Sequence, residues 1–143
     1  MVIKYQKYKL LLAVIIGLLP VFSSAQSNNS DSVLIFSYFK GNGEDGLHLA
    51  YSNDGLEWFP LKGDSSFLTP TVANDKLMRD PCITRGGDGR FHMVWTVSWN
   101  DRGIGYAHSK DLLNWSEQVF IPVMKHEPTT LNTWAPEVFY DKQ

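Results

Sequence analysis

Ser52-Asn53-Asp54-Gly55-Leu56-Glu57-Trp58 and Ser109-Lys110-Asp111-Leu112-Leu113-Asn114-Trp115 are one turn written twice, 57 positions apart (115 − 58). Laid over each other without a gap, residues 34–58 and 91–115 also match Gly46 with Gly103 and Ala50 with Ala107. In each copy the Ser and Asp side chains can bond nearby backbone amides, and the Trp can plug the space between neighbouring sheets, a structural role. The same offset carries Asp80, in Met78-Arg79-Asp80-Pro81, onto Glu137, in Trp134-Ala135-Pro136-Glu137. Self-similarity at a fixed period, with short strands inside each unit, marks a stacked repeat architecture.

The segments around the turn read as short antiparallel strands. Residues 33–39 are apolar and aromatic, Leu47, Leu49 and Tyr51 alternate with His48 and Ala50, and the glycine-rich stretch 40–46 between them is turn material. The second copy repeats the hairpin with strands at 90–97 and 104–108. A further strand is expected at 81–84, joined by Gly86-Gly87-Asp88-Gly89, and another at 118–121. The only helical candidate, 110–115, is long enough for a turn. Four antiparallel strands per period are the content of one propeller blade, so the expected fold is an all-β propeller. Moving Asp80 back by one period lands on position 23, so the first blade is expected to lack an innermost strand. On this reading 33–77 and 78–133 are two blades and a third starts at 134, making the chain a fragment of a larger ring.

The first residues stand apart from the repeat. Lys4, Lys7 and Lys9 precede an apolar run over 10–22, and Ser23-Ser24-Ala25 offers small residues for a cleavage site, the pattern of a signal peptide ending at Ala25. The chain is therefore expected to be exported to the periplasm or beyond, with 26–32 as a polar linker and no membrane contact after cleavage. A net charge of −2, with no basic cluster past the leader, makes nucleic acid and acidic membranes poor partners. Cys82 stands alone, cannot form an internal disulfide, and is expected to be a small buried residue. The four histidines show no metal-site spacing and read as core or surface imidazoles.

Asp80 and Glu137 recur at one phase of the repeat, on strands expected to line a central tunnel, so both should face its mouth. A cation beside a carboxylate favours the charged form, and Arg79 adjoins Asp80, which suits a general base. Asp80-Pro81 equally fits a turn in which the carboxylate caps the strand entry; the residues alone leave both readings open.

Met78-Arg79-Asp80-Pro81-Cys82-Ile83, then Arg90-Phe91-His92-Met93-Val94-Trp95, then Ile104 through Trp115, then Trp134-Ala135-Pro136-Glu137-Val138-Phe139-Tyr140 resemble, in that order, glycoside hydrolase family 43. That family consists of five-bladed propellers that include arabinofuranosidases, xylosidases and arabinanases. The resemblance implies that Asp80 is the general base of an inverting hydrolysis. It also implies that Trp134 and Glu137 border a sugar-binding funnel, to which Arg79 and Trp99 are added as binding residues. A carbohydrate is the implied partner and no cofactor is required, although the family often carries a calcium ion at the propeller centre. The family's general acid and its pKa-tuning Asp have no counterpart that can be placed in this sequence, and Glu137 does not match the acid's position. This chain alone is expected to be inactive. A propeller that binds sugar without catalysis, with Trp95, Trp99 and Trp134 as stacking surfaces, is the alternative.

Overall fold

A computed structural model describes residues 32–142; the leader and most of the linker lie outside the described residues. Seven strands fall into two antiparallel sheets. The first holds β1 (Leu34–Tyr38), β2 (His48–Ser52) and β3 (Phe59–Pro60), and the second holds β4 (Arg79–Arg85), β5 (Phe91–Thr96), β6 (Ile104–Ser109) and β7 (Val119–Ile121), each in chain order. The fold is all-β, and the two sheets are blade-like units of a partial propeller.

The repeat is visible in the hydrogen-bond ladders. Leu34 faces Ser52 and Tyr38 faces His48 in the first hairpin, while Phe91 faces Ser109 and Trp95 faces Gly105 in the second, so every pair advances by the same 57 positions. A one-residue slip would turn each strand's apolar set to the other face, so identical register means identical facing. The outermost strand keeps that register at the Ser109–Trp115 bridge and departs from it by one residue where Tyr106 meets Val119. Among the described residues β4 has no counterpart in the first sheet; the positions one period before it, 22–28, lie outside the described residues.

Both turns are built as the sequence suggests. Asp54 Oδ1 accepts the amides of Leu56 (2.8 Å) and Glu57 (3.0 Å), and Asp111 Oδ1 accepts those of Leu113 (2.9 Å) and Asn114 (2.7 Å). Ser52 Oγ and Ser109 Oγ accept the amides of Gly55 (2.8 Å) and Leu112 (2.9 Å). The amide of Asn114, then its side chain, then the amide of Leu113 hold the Asp111 carboxyl well below its ordinary value of 3.8. The stretch 110–115 is therefore an aspartate-centred turn; among the described residues the helical geometry is a short 3₁₀ turn at Leu61–Asp64, broken by left-handed Lys62 and Gly63.

The core lies between the sheets. Leu47 and Leu49 from the first unit meet Met93, Trp95 and Ala107 from the second, with Met78 and Val97 closing the cluster, and Trp115 packs against its edge. Burial of each large side chain contributes roughly 1.5–3 kcal/mol. Trp95 is completely buried, so it is a core residue and offers no sugar-stacking surface. Gly105, its partner across the ladder, leaves the space its indole occupies, because a Cβ there would collide with the Trp95 ring.

Two local expectations change, and His48 takes the core alternative. Cys82 is half-buried, not buried, because β4 is an edge strand and one flank of it stays open. His48 is buried, with Nε2 2.8 Å from Asp45 Oδ2; Nδ1 comes within 3.3 Å of Asp64 Oδ1 but off the hydrogen-bonding direction. Residues 134–142 form no strand, since they pair with none among the described residues.

Gly105→Ala is expected to lower stability by about 1–3 kcal/mol through overpacking against Trp95, read as a drop in the urea midpoint; an unchanged midpoint would show that the indole can move aside. Because the Asp111 carboxyl is depressed in the folded state, its contribution is present above the unfolded value and disappears as pH falls through the folded one. The stability gap between the native chain and Asp111→Asn should therefore hold down to about pH 5 and narrow steadily as pH falls below about 4. A gap independent of pH in chemical denaturation would contradict the turn geometry.

Candidate functional site

β4 begins with a break in its ladder. Arg79 pairs with Thr96 and Cys82 pairs with Val94, so Asp80 and Pro81 together oppose Trp95 alone, which makes a β-bulge. Pro81 has no N–H to give to the ladder, and an edge strand at a bulge is where a sheet tolerates it. Asp80 takes a left-handed backbone, φ 49°, a conformation that non-glycine residues adopt at a cost of order 1–3 kcal/mol and that clusters at functional sites. The bulge aims the Asp80 carboxylate at β5, where Oδ2 accepts the hydroxyl of buried Thr96 at 3.1 Å. No hydrogen bond from a backbone amide reaches that carboxylate among the described residues, so the strand-capping alternative is not the geometry adopted.

Thr96 then ties Asp80 to the other acidic element. Its Oγ1 accepts the amide of Ala135 at 2.8 Å, the residue between Trp134 and Pro136-Glu137. Ala135 is itself left-handed, φ 45°. Asp80, Pro81 and Cys82 of β4, Phe36 and Ser37 of β1, and residues 135–139 line one cavity of about 430 Å³. The sheets meet at this wall, where Ser37 Oγ donates to the carbonyl of Pro81 at 2.7 Å. Asp80 and Glu137 thus line one cavity, along the β4 edge of the second sheet.

The remaining binding candidates form a second cluster at the same end of β4. The Arg79 guanidinium lies 4.3 Å from the Trp99 ring centre and 5.2 Å from that of Phe39, and Nη1 donates to Asn42 Oδ1 at 2.7 Å. Trp99 Nε1 donates to the same oxygen at 3.2 Å. Trp134 stands edge-on to Trp99, ring centres 5.5 Å apart, and its Nε1 donates to the Trp99 carbonyl at 3.2 Å. Both indoles are exposed. The Trp99 loop is pinned from behind by Asp75, whose Oδ2 accepts Ser98 Oγ at 2.6 Å and the Trp99 amide at 3.2 Å.

The expected pairing of the Arg79 cation with Asp80 does not form. Arg79 makes no ion pair among the described residues, because the two neighbouring side chains go to different partners and the aromatic rings take the guanidinium. Asn42 and Thr96 are the residues that sequence reasoning passed over. A signal for Asn42 existed, since it stands one period before Trp99 in a turn of the same kind. Thr96 offered only a hydroxyl at the end of an apolar strand. A calcium site would need several oxygen ligands on one centre. Among the described residues no group of three or more His, Cys, Asp or Glu side chains is arranged for an ion, so no step is routed through one.

Thr96→Val removes the oxygen that joins Asp80 to Ala135 and is expected to cost about 1–2 kcal/mol, whereas Thr96→Ser should stay close to the native urea midpoint. Equal loss in both variants would place the effect in methyl packing instead of the hydroxyl bridge.

Comparison with known proteins identifies the family. Residues 31–143 match a glycosyl hydrolase 43-related family, described as a probable glycosyl hydrolase domain. No curated protein and no solved structure matches the chain. Since the match spans most of the sequence, this chain belongs to the glycosyl hydrolase 43-related family.

Proposed function

We propose that the chain supplies the water-activating side of an inverting glycosidase acting on arabinose- or xylose-containing glycans outside the cytoplasm. The observation that carries this reading is Asp80: a carboxylate on an edge strand, turned by a left-handed bulge onto Thr96, at the wall of a cavity it shares with Glu137. A carboxylate in that setting can accept a proton from a water as that water attacks the anomeric carbon. Inverting hydrolysis requires a second, protonated carboxyl about 6.5–9.5 Å away to assist departure of the leaving group. Glu137 is assigned to sugar binding, not to that role, and no residue here is assigned to it. The chain assayed by itself is accordingly expected to bind sugar without turning it over.

Trp99 and Trp134 favour carbohydrate on independent grounds. Exposed, mutually braced indoles offer flat apolar faces with polar edges, and sugar rings present matching C–H faces. The same feature supports the second reading, a sugar-binding propeller without catalysis.

Asp80→Asn separates the two. In a form of the protein that carries both carboxyls, the change is expected to lower kcat by about 10²–10⁴-fold while sugar affinity, measured calorimetrically, persists. Turnover that survives the substitution would remove Asp80 from the chemistry and leave the binding reading.

A further inference from the structure

We propose that Arg79 reads a carboxylate on the sugar, so that the site takes a uronate-bearing glycan in preference to a neutral one; this rests on the carbohydrate reading above and names its substrate class. The argument starts from how the guanidinium is held. Arg79 is half-buried, with its guanidinium 4.3 Å from the Trp99 ring centre and 5.2 Å from that of Phe39 and a single hydrogen bond to Asn42 Oδ1. A guanidinium carries five N–H donors, and among the described residues Asn42 is the acceptor that one of them finds. The acceptor is an amide. It orients the fork without cancelling its charge, which a carboxylate at position 42 would have done.

Among the described residues Arg90 is the other half-buried cation, and the remaining lysines and arginines are exposed, so water meets the charge of those without a carboxylate partner. Lys40 lies 3.3 Å from Asp64 and 3.8 Å from Asp45, and Arg90 lies 3.8 Å from Asp88, so their charges are met by carboxylates. Arg79 meets none among the described residues. Removing a cation partly from water without a countercharge is costly, and that cost is recovered when a ligand brings the anion. Arginine's planar fork matches a carboxylate through two parallel hydrogen bonds, and stacking on aromatic rings leaves the edges of the fork available for them.

The acidic wall next door sharpens the selection. Asp80 and Glu137 line the cavity, so a sugar carboxylate is repelled from that wall and attracted to the Arg79 cluster. Like charges side by side disfavour one orientation and opposite charges favour the other, so one charge pattern both selects the acidic sugar and orients it relative to Asp80. Trp99 and Trp134 then supply the apolar surface against which the ring of the uronate lies. Asn42 acts through Arg79 and is a positioning residue.

The test compares an oligosaccharide bearing a uronic acid with its carboxyl-reduced counterpart, which differs only in carrying CH2OH for COO⁻. Calorimetry on the full chain should show the acidic sugar bound about tenfold or more tightly, the range of one charge-assisted bidentate contact. Arg79→Gln should bring the acidic-to-neutral affinity ratio to about one. Arg79→Lys, which keeps the charge and loses the fork, and Asn42→Ala, which frees the guanidinium, should each give an intermediate ratio. The ratio is insensitive to a general loosening of the site, and a thermal melt confirms that each variant is folded. Equal affinities in the native chain would overturn the proposal and leave the carbohydrate reading intact. A preference that persists in Arg79→Gln would overturn it by assigning the carboxylate to another group. Failure of both sugars to bind would remove the carbohydrate reading and the proposal with it.

Discussion

The break in the ladder between Arg79 and Cys82 is the constraint on which the site depends. Proline at 81 cannot donate to the neighbouring strand, so the ladder must skip there, and the extra residue is absorbed by putting Asp80 in a left-handed conformation. Two things follow from one defect. The Asp80 carboxylate reaches Thr96 and the Pro81 carbonyl is left to accept Ser37 from the first sheet, while the Arg79 side chain departs toward Asn42 and Trp99. A regular strand would also put successive side chains on opposite faces; what the bulge adds is the backbone turn at Asp80 that accompanies its carboxylate's bond to Thr96.

The backbone strain at Asp80 is held in place by rigid surroundings. β5 and β6 pair over six residues, Trp95 fills the space left by Gly105, and the aspartate-centred turns close the hairpins with hydrogen bonds to backbone amides. The two copies of that turn are chemically alike and energetically unlike. Trp115 packs against the central cluster, whereas Trp58 remains exposed beside Phe36 and Tyr38. The Trp supplies an apolar plug in both; whether it contributes depends on having a sheet to pack against.

Electrostatics divides the surface near β4 into two regions. Asp80 and Glu137 give the cavity an acidic wall, while the neighbouring Arg79, outside that lining, is a stacked guanidinium held by a neutral amide. The knot around His48 shows the contrast: there Lys40, Asp45 and Asp64 meet each other directly, and Tyr38 donates to Asp64 at 2.6 Å. Loss of solvent, then the bond to Asp64 and its charge, push the Tyr38 phenol up to about 12. In that cluster the cation is met by carboxylates, and in the Arg79 cluster it is not.

Pattern alone determined the all-β class, the period, the hairpins and the aspartate turns, because strand alternation and turn chemistry are local and the repeat writes them twice. It also placed Asp80 and Glu137 at one phase, and the structure brings both to one cavity. What only the tertiary structure decided is which tryptophans are exposed, where Arg79 points, and that Asn42 and Thr96 organise the site. Trp95 and Trp99 are four positions apart in sequence, yet one is sealed in the core and the other stands open, since burial is set by what packs across the sheet. Thr96 acquires its role from Ala135, 39 residues away, a contact that exists only once the chain has folded back along β4. Local periodicity specifies faces; contacts between distant segments specify which atoms meet on them.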